Sequence, residues 1–275
     1  WADRPPPVDP ALARRETRAM FDLLGEWAEL DGVLKVANET DLDACLDGDA
    51  VGLVGHVEGA AAVRPDLSNL DDLYDRGLRS LGLVWSRPNA FGRGVPFTHD
   101  ASPDSGPGLT DAGESLVRAC ESRGILVDCA HLNAAGIRDV ARIADEPFVV
   151  SHAGTHAVSP AARNLTDDLL ELVADSDGVV GVTLAVPHLR PDGARDPETA
   201  LSRVADHVEH LLEVTGPRHV ALGSDLDGAT VPAAVDDAAG LPAVLDALRD
   251  RGLEEDTVER IAYRNWARVL RTTIQ

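Results

Sequence analysis

The sequence predicts a TIM-type (β/α)8 barrel of parallel strands that lacks its first strand. Three observations lead there. Short apolar, β-branched runs alternate with longer amphipathic stretches. The runs are apolar almost throughout, as strands covered on both faces are. The chain has 275 residues, a normal length for one such barrel.

The strand runs are Val33–Val36, Val51–Val54, Leu81–Val84, Ile125–Asp128, Pro147–Val150, Val179–Leu184 and His219–Leu222. Helical patterns cover Arg15–Glu29, Ala112–Arg123, Asp167–Ala174, Pro197–Val214, Leu241–Arg251 and Glu255–Arg271. Thr110 and Thr166 stand where N-caps belong, and Gly124 stands where the second helix should stop. Seven strands are one fewer than a closed barrel needs, and an open doubly wound sheet is the competing architecture. The chain begins at Trp1 rather than Met. A missing N-terminal segment is therefore expected, with residues 1–275 forming a single barrel domain without its first strand. Two stretches rich in Pro and Gly, Arg87–Pro107 and Pro187–Pro197, read as long loops, which in a barrel commonly carry function.

Composition excludes several function classes. There are 47 acidic residues against 25 basic ones, a formal charge of −22, and Lys35 is the single lysine. Nucleic acid and anionic membrane are thus not expected partners. No run of eighteen apolar residues is present, and the C-terminus is not a lipid-anchor tail. A surface of Asp and Glu with almost no Lys fits molar salt, where the Debye length is ~3 Å and self-repulsion is screened, so a halophilic protein is expected. Cys45, Cys120 and Cys129 are odd in number and share no close spacing. That reads as free thiols in a reducing cytoplasm rather than a thiolate zinc site.

Four strand runs lead into a residue that can bind or serve a metal. These are Glu58 after Val51–Val54, His131 after Ile125–Asp128, His152 after Pro147–Val150 and Asp225 after His219–Leu222. Strand C-terminal ends converge on one face of a barrel, so four residues remote in sequence would meet. Two imidazoles and a carboxylate suit zinc, which acidifies bound water towards a pKa of ~7. A further carboxylate such as Asp225 could then manage the proton. Each residue alone has a plainer reading: a hydrogen-bonded histidine, a helix-start glutamate, a turn aspartate. The recurrence of the same placement at four strands favours chemistry. His207 and His210 read as a solvated helix face. His156 reads as a loop residue, His56 as a neighbour of the site or a structural residue, and His99 is unassigned. Gly-x-Ser-x-Gly is absent, and Gly92-Arg93-Gly94 lacks the lysine and helix of a phosphate loop.

Several motifs carry a resemblance over nearly the whole chain. They are Val57-Glu58-Gly59, Leu78-Arg79-Ser80-Leu81-Gly82-Leu83 leading to Asn89-Ala90-Phe91-Gly92, and Gly108-Leu109-Thr110. Ile125-Leu126-Val127-Asp128 before His131 follows, then Ser151-His152, Arg163-Asn164-Leu165-Thr166-Asp167 and Gly223-Ser224-Asp225-Leu226-Asp227-Gly228, with Asn265 in the last helix. The sequence resembles the membrane dipeptidase family (renal dipeptidase, peptidase M19) of the amidohydrolase superfamily. The resemblance implies two zinc ions, with Glu58 bridging them and His131 and His152 on the second. It makes Asp225 the proton shuttle and Arg163 the grip on a dipeptide's carboxylate, with Trp85 and Asn164 in the substrate site. Family members often form homodimers. The family's His-x-Asp motif, which holds the first metal, is absent from this sequence, in keeping with the missing strand. Trp85 stands where animal members carry a histidine. The expected activity is zinc-dependent hydrolysis of dipeptides. Two alternatives stay open: another amide or a lactone as substrate, and an inactive member with an incomplete metal site.

Overall fold

The computed structural model describes residues 5–274. Trp1, and with it the expected missing strand, lies outside the described residues. In chain order the elements are α1 (Pro10–Trp27), β1 (Val33–Lys35), α2 (Glu39–Asp47), β2 (Val51–Leu53), β3 (Gly55–Val57), α3 (Leu70–Arg76), β4 (Leu78–Gly82), α4 (Asp111–Glu121), β5 (Leu126–Asp128) and α5 (Ala134–Ile143). Then come β6 (Val150–Ala153), α6 (Asp167–Asp175), β7 (Val180–Thr183), α7 (Val186–Leu189), α8 (Ser202–Thr215), β8 (Val220–Ser224), α9 (Leu241–Asp250), α10 (Glu255–Glu259) and α11 (Asn265–Thr273). The strands form three parallel sheets, β1-β2, β3-β4-β5 and β6-β7-β8. This is an α/β fold with parallel sheets, and its hydrogen-bonded ladders do not close into a ring among the described residues.

The residues divide into two compact units. One comprises Pro5–Gly94, Gly106–Phe148 and the segment from Ala267; the other comprises Val95–Ser105 and Val149–Trp266.

In the first unit, β3 pairs with β4 and β4 with β5, in registers that set His56 against Ser80 and Gly82 against Asp128. Leu70, Leu73, Leu78, Leu81, Leu116, Leu126 and Ile137 are buried beneath these strands and their helices. Each such side chain stabilises the fold by ~1.5–3 kcal/mol. α4 starts where Thr110 Oγ1 accepts from Gly113 N at 3.1 Å, and its Gly113, Leu116, Val117 and Cys120 form one buried stripe. α5 is capped by Asn133, whose Oδ1 accepts from Gly136 N at 3.0 Å. The buried Arg79 donates to the carbonyls of Ala37, Tyr74 and Leu78, so its charge is spread over three acceptors. Ile274 closes a small apolar cluster with Val36 and Leu42.

In the second unit, β7 lies between β6 and β8, with Val180 opposite Val150 and Val220. Leu169, Leu170 and Val173 of α6 are buried, as are Val204, Val208 and Leu211 of α8. Asn265 Nδ2 donates to the carbonyls of Pro217 and Val220 at 2.8 Å, and Trp266 Nε1 to that of Leu222 at 2.9 Å. These bonds fix β8 from the side of the last helix.

Several elements differ from the sequence expectation. Val51–Val54 is found as β2, Val51–Leu53, paired with β1, and a further strand that was not expected, β3, follows at Gly55–Val57 and pairs with β4. β4 starts three residues before the expected run and β6 starts three residues after the start of its own, so His152 sits inside β6 rather than beyond it. α2, α3 and α7 went unrecognised because they are short, and α5 was missed although Ile137, Val140 and Ile143 form a buried stripe. The expected helix Pro197–Val214 starts only at Ser202, and the last one is interrupted by a π-helical turn, Arg260–Arg264. Thr166 occupies the N-cap position of α6, yet its hydroxyl donates to Asp168 instead of capping.

Candidate metal centre

In the first unit, Glu58 directly follows β3 and His131 follows β5 by three residues. His131 adopts a left-handed backbone, φ 66°, that turns the chain sharply after the strand. Asp128 assists by accepting from Ala130 N at 2.9 Å. The outcome is that His131 Nε2 lies 2.7 Å from Glu58 Oε1. On the opposite edge of the ring, Nδ1 is 2.8 Å from the fully buried hydroxyl of Ser86. When Nδ1–H donates to Ser86, the lone pair of Nε2 faces the carboxylate side.

Gly59 makes room for this arrangement. Its φ is +97°, and a Cβ there would come 2.9 Å from Trp85 N. The Trp85 ring lies 5.4 Å from the His131 ring at 36°, and the Arg87 guanidinium carbon sits 4.5 Å from the indole centroid. Trp85 and Glu58 both line a cavity of about 880 Å³ whose other walls include Met20, Leu24, Pro88 and Phe91. His56 is held from two sides, with Ser80 Oγ 2.9 Å from Nδ1 and Asp128 Oδ2 3.8 Å from Nε2.

In the second unit, His152 is buried within β6, and its Nδ1 lies 2.9 Å from Ser151 Oγ. The buried Arg163 donates from Nη2 to the His152 carbonyl at 3.2 Å. Asn164 uses its amide on the backbone. Oδ1 accepts from Gly154 N at 2.9 Å, and Nδ2 donates to the carbonyls of Ser159 and His188 at 2.8 Å. It thereby braces the loop that presents Arg163. Asp225 directly follows β8. Ser224, Asp225 and Asp227 all have positive φ (46°, 71° and 63°), a concentration of strained backbone at one strand end. Gly228 leaves space for the carboxylate: a Cβ there would lie 2.4 Å from Asp225 Oδ1.

The expectation that His207 faces solvent is overturned. It lies on the apolar stripe of α8, three residues after Val204 and four before Leu211, and is fully buried. Its Nδ1 accepts from Thr155 N at 2.9 Å and its Nε2 is 3.1 Å from the Leu189 carbonyl. Burial pushes its pKa down to about 4. His210 is likewise not a free surface residue, since Nε2 is 2.7 Å from Asp167 Oδ1. His99 and His156 pair with the carbonyls of Arg190 and Ala101, which makes both structural. Ser86 and His188 carried no signal along the chain. Ser151 could have been found, as a hydroxyl beside a histidine at the end of a strand.

The donors suit a divalent metal. Each candidate imidazole has Nδ1 against a serine hydroxyl, and one of them aims Nε2 at a carboxylate oxygen. A borderline metal such as zinc accepts that nitrogen–oxygen set.

The model of the family described as membrane dipeptidase (peptidase family M19) matches residues 26–275. A solved structure of a dipeptidase AC, a metallo peptidase of family M19, is 40% identical, with a TM-score of 0.96 over 99% of this chain and 79% of that one. A metallo peptidase from Rhodobacter sphaeroides, solved with a phosphinate mimic of the dipeptide L-Ala-D-Ala, is 41% identical. Its TM-score is 0.95 over 98% of this chain and 78% of that one. An uncharacterised Klebsiella pneumoniae protein from the pqqA 5′ region is 39% identical over 86% of this chain and 87% of its own length. The chain belongs to the membrane dipeptidase family, peptidase family M19.

Proposed function

We propose that this protein is a zinc-dependent dipeptidase with Glu58, His131 and His152 as metal ligands. The observation that carries the reading is the Glu58–His131 pair, 2.7 Å apart with Ser86 behind the ring, in a chain of this family. The relative solved with a dipeptide mimic supports the substrate class. Zinc at such donors would polarise the peptide carbonyl and acidify a water.

The remaining work falls to the chain's own groups. Asp225 accepts the proton of the attacking water and returns it to the leaving amine. Arg163 forks onto the free C-terminal carboxylate, which selects dipeptides over longer chains. Asn164 holds the Arg163 loop in place. Trp85 forms a wall of the substrate site. The reading takes the parallel sheets as parts of one (β/α)8 barrel domain. It also takes the protein as a homodimer of a reducing cytoplasm, where Cys45, Cys120 and Cys129, free in the structure, stay reduced.

The test is amino-acid release from a dipeptide panel, with and without a chelator. Hydrolysis should stop on chelation and return with zinc. If no dipeptide is turned over with zinc restored, the proposal fails. Trp85 favours a second reading, because an indole cannot exchange protons as an imidazole does. In that case the metal ligands serve another amide or a lactone, and parallel lactone assays separate the two.

A further inference from the structure

The buried ring of His207 joins two segments of its own unit, the exit of β6 and the end of α7. Its Nδ1 accepts from the backbone N–H of Thr155 at 2.9 Å, with the Thr155 hydroxyl 3.1 Å away. A backbone N–H can only donate, so the proton of the neutral ring sits on Nε2, which donates to the Leu189 carbonyl at 3.1 Å. Burial lowers the pKa to about 4 and so keeps the ring in this neutral form at ordinary pH. The chain lies close against the ring: a Cβ at Gly154 would come 2.9 Å from His207 Cε1.

The segment that His207 holds also supports Arg163. Thr155 forms a parallel bridge with Leu165, in which Leu165 N donates to the Gly154 carbonyl at 3.0 Å and His156 N to the Leu165 carbonyl at 2.8 Å. Arg163 Nη2 donates to the His152 carbonyl at 3.2 Å. The backbone just after Arg163 and its guanidinium therefore both rest on the stretch from His152 to His156. We propose that His207 is a positioning residue for Arg163: by fixing Thr155 it sets the direction of the guanidinium without touching the substrate. The inference rests on the dipeptidase reading for what Arg163 grips. A two-pronged bond to a carboxylate requires both guanidinium N–H groups in line, so a small tilt of the supporting chain weakens it. Such a loss falls on substrate binding, which raises KM and leaves kcat nearly unchanged.

The experiment compares variants of the whole chain. His207→Leu removes both hydrogen bonds, and His207→Asn keeps an acceptor near the place of Nδ1. With alanyl-alanine as substrate, His207→Leu should raise KM about tenfold with kcat within about twofold, while His207→Asn should keep KM within about threefold of the parent. The second readout is the side-chain Nε–H resonance of Arg163, assigned by its loss in Arg163→Lys. It should shift in His207→Leu and hold its place in His207→Asn. Should His207→Leu fail to fold, His207→Met, an adaptable apolar side chain, takes its part. The inference is overturned if the Arg163 resonance is unmoved in the apolar variant, if KM is unmoved there while the parent hydrolyses the dipeptide, or if His207→Asn lies no closer to the parent than the apolar variant does. If the resonance follows the expected pattern but the parent hydrolyses no dipeptide, the positioning role stands and the dipeptidase reading falls.

Discussion

Ser86 Oγ lies 2.8 Å from Nδ1 of His131, fully buried, on the edge of the ring opposite Glu58. The hydroxyl lies 45 positions before the histidine, and it occupies Nδ1 while Nε2 faces Glu58. Ser151 likewise occupies Nδ1 of His152 at 2.9 Å. Outer-shell partners of this kind typically account for 10–100-fold in metal affinity. Ser86→Ala is therefore expected to weaken zinc binding by about thirtyfold in chelator competition, with Ser151→Ala weaker by about tenfold. Unchanged zinc affinity in both variants would show that neither hydroxyl orients a ligand.

Gly59 carries a backbone that only glycine adopts freely, and it stands directly against Trp85 N. Gly59→Ala should destabilise the protein by ~3 kcal/mol, read as a lower denaturant midpoint at unchanged slope. The same variant should displace Glu58 and reduce metal content. A stable variant with full metal content would mean that the turn relaxes at no cost.

His207 makes stability depend on acid. Its folded pKa is lowered to about 4, below the ordinary value of 6.5, because it is buried and its Nδ1 is occupied by Thr155 N–H. A lowered value gives stability that is complete above pH 6.5 and is lost as the pH falls through about 4. The loss from this residue is up to ~3 kcal/mol. His207→Asn keeps an acceptor but has no titration in this range. Its unfolding free energy should fall less than that of the parent between pH 6.5 and 4. Parallel pH profiles for the two proteins would assign the acid sensitivity elsewhere.

The charge of −22 predicts a salt requirement. Surface pairs such as Arg251–Glu209, 3.0 Å apart and partly exposed, lose attraction in salt, but each such pair contributes little. Repulsion among the surplus carboxylates acts over the whole surface and is screened as the Debye length shortens from about 30 Å at 0.01 M to about 3 Å at 1 M. The melting midpoint should rise by roughly 5 °C over that range. A flat or falling midpoint would overturn the halophilic expectation.

Much of the site was legible from the chain. His131 and Asp225 follow expected strands and Glu58 follows β3, because a parallel strand must end before its chain can turn, and the residues at the turn are polar or glycine. Strand and helix types were legible for the same reason: a buried strand reads as an apolar run whatever it packs against. Boundaries were less so. The run Val51–Val54 is matched by β2, but β3 at Gly55–Val57 follows it at once in another sheet, and only pairing partners distinguish the two. His207 looks like a surface residue because histidine is polar. Its place on the α8 stripe was visible, but the acceptor role that permits burial depends on Thr155, 52 residues away.

The sequence by itself determined the element types, the acidic surface and the residues capable of chemistry, because these follow from local periodicity and from side-chain identity. The tertiary structure alone decided the partnerships. Ser86 behind His131, Asn164 beneath the Arg163 loop and His207 against Thr155 each join residues distant along the chain. No periodicity encodes such meetings, since a hydrogen bond depends on where two atoms come to rest and not on how far apart they lie along the backbone.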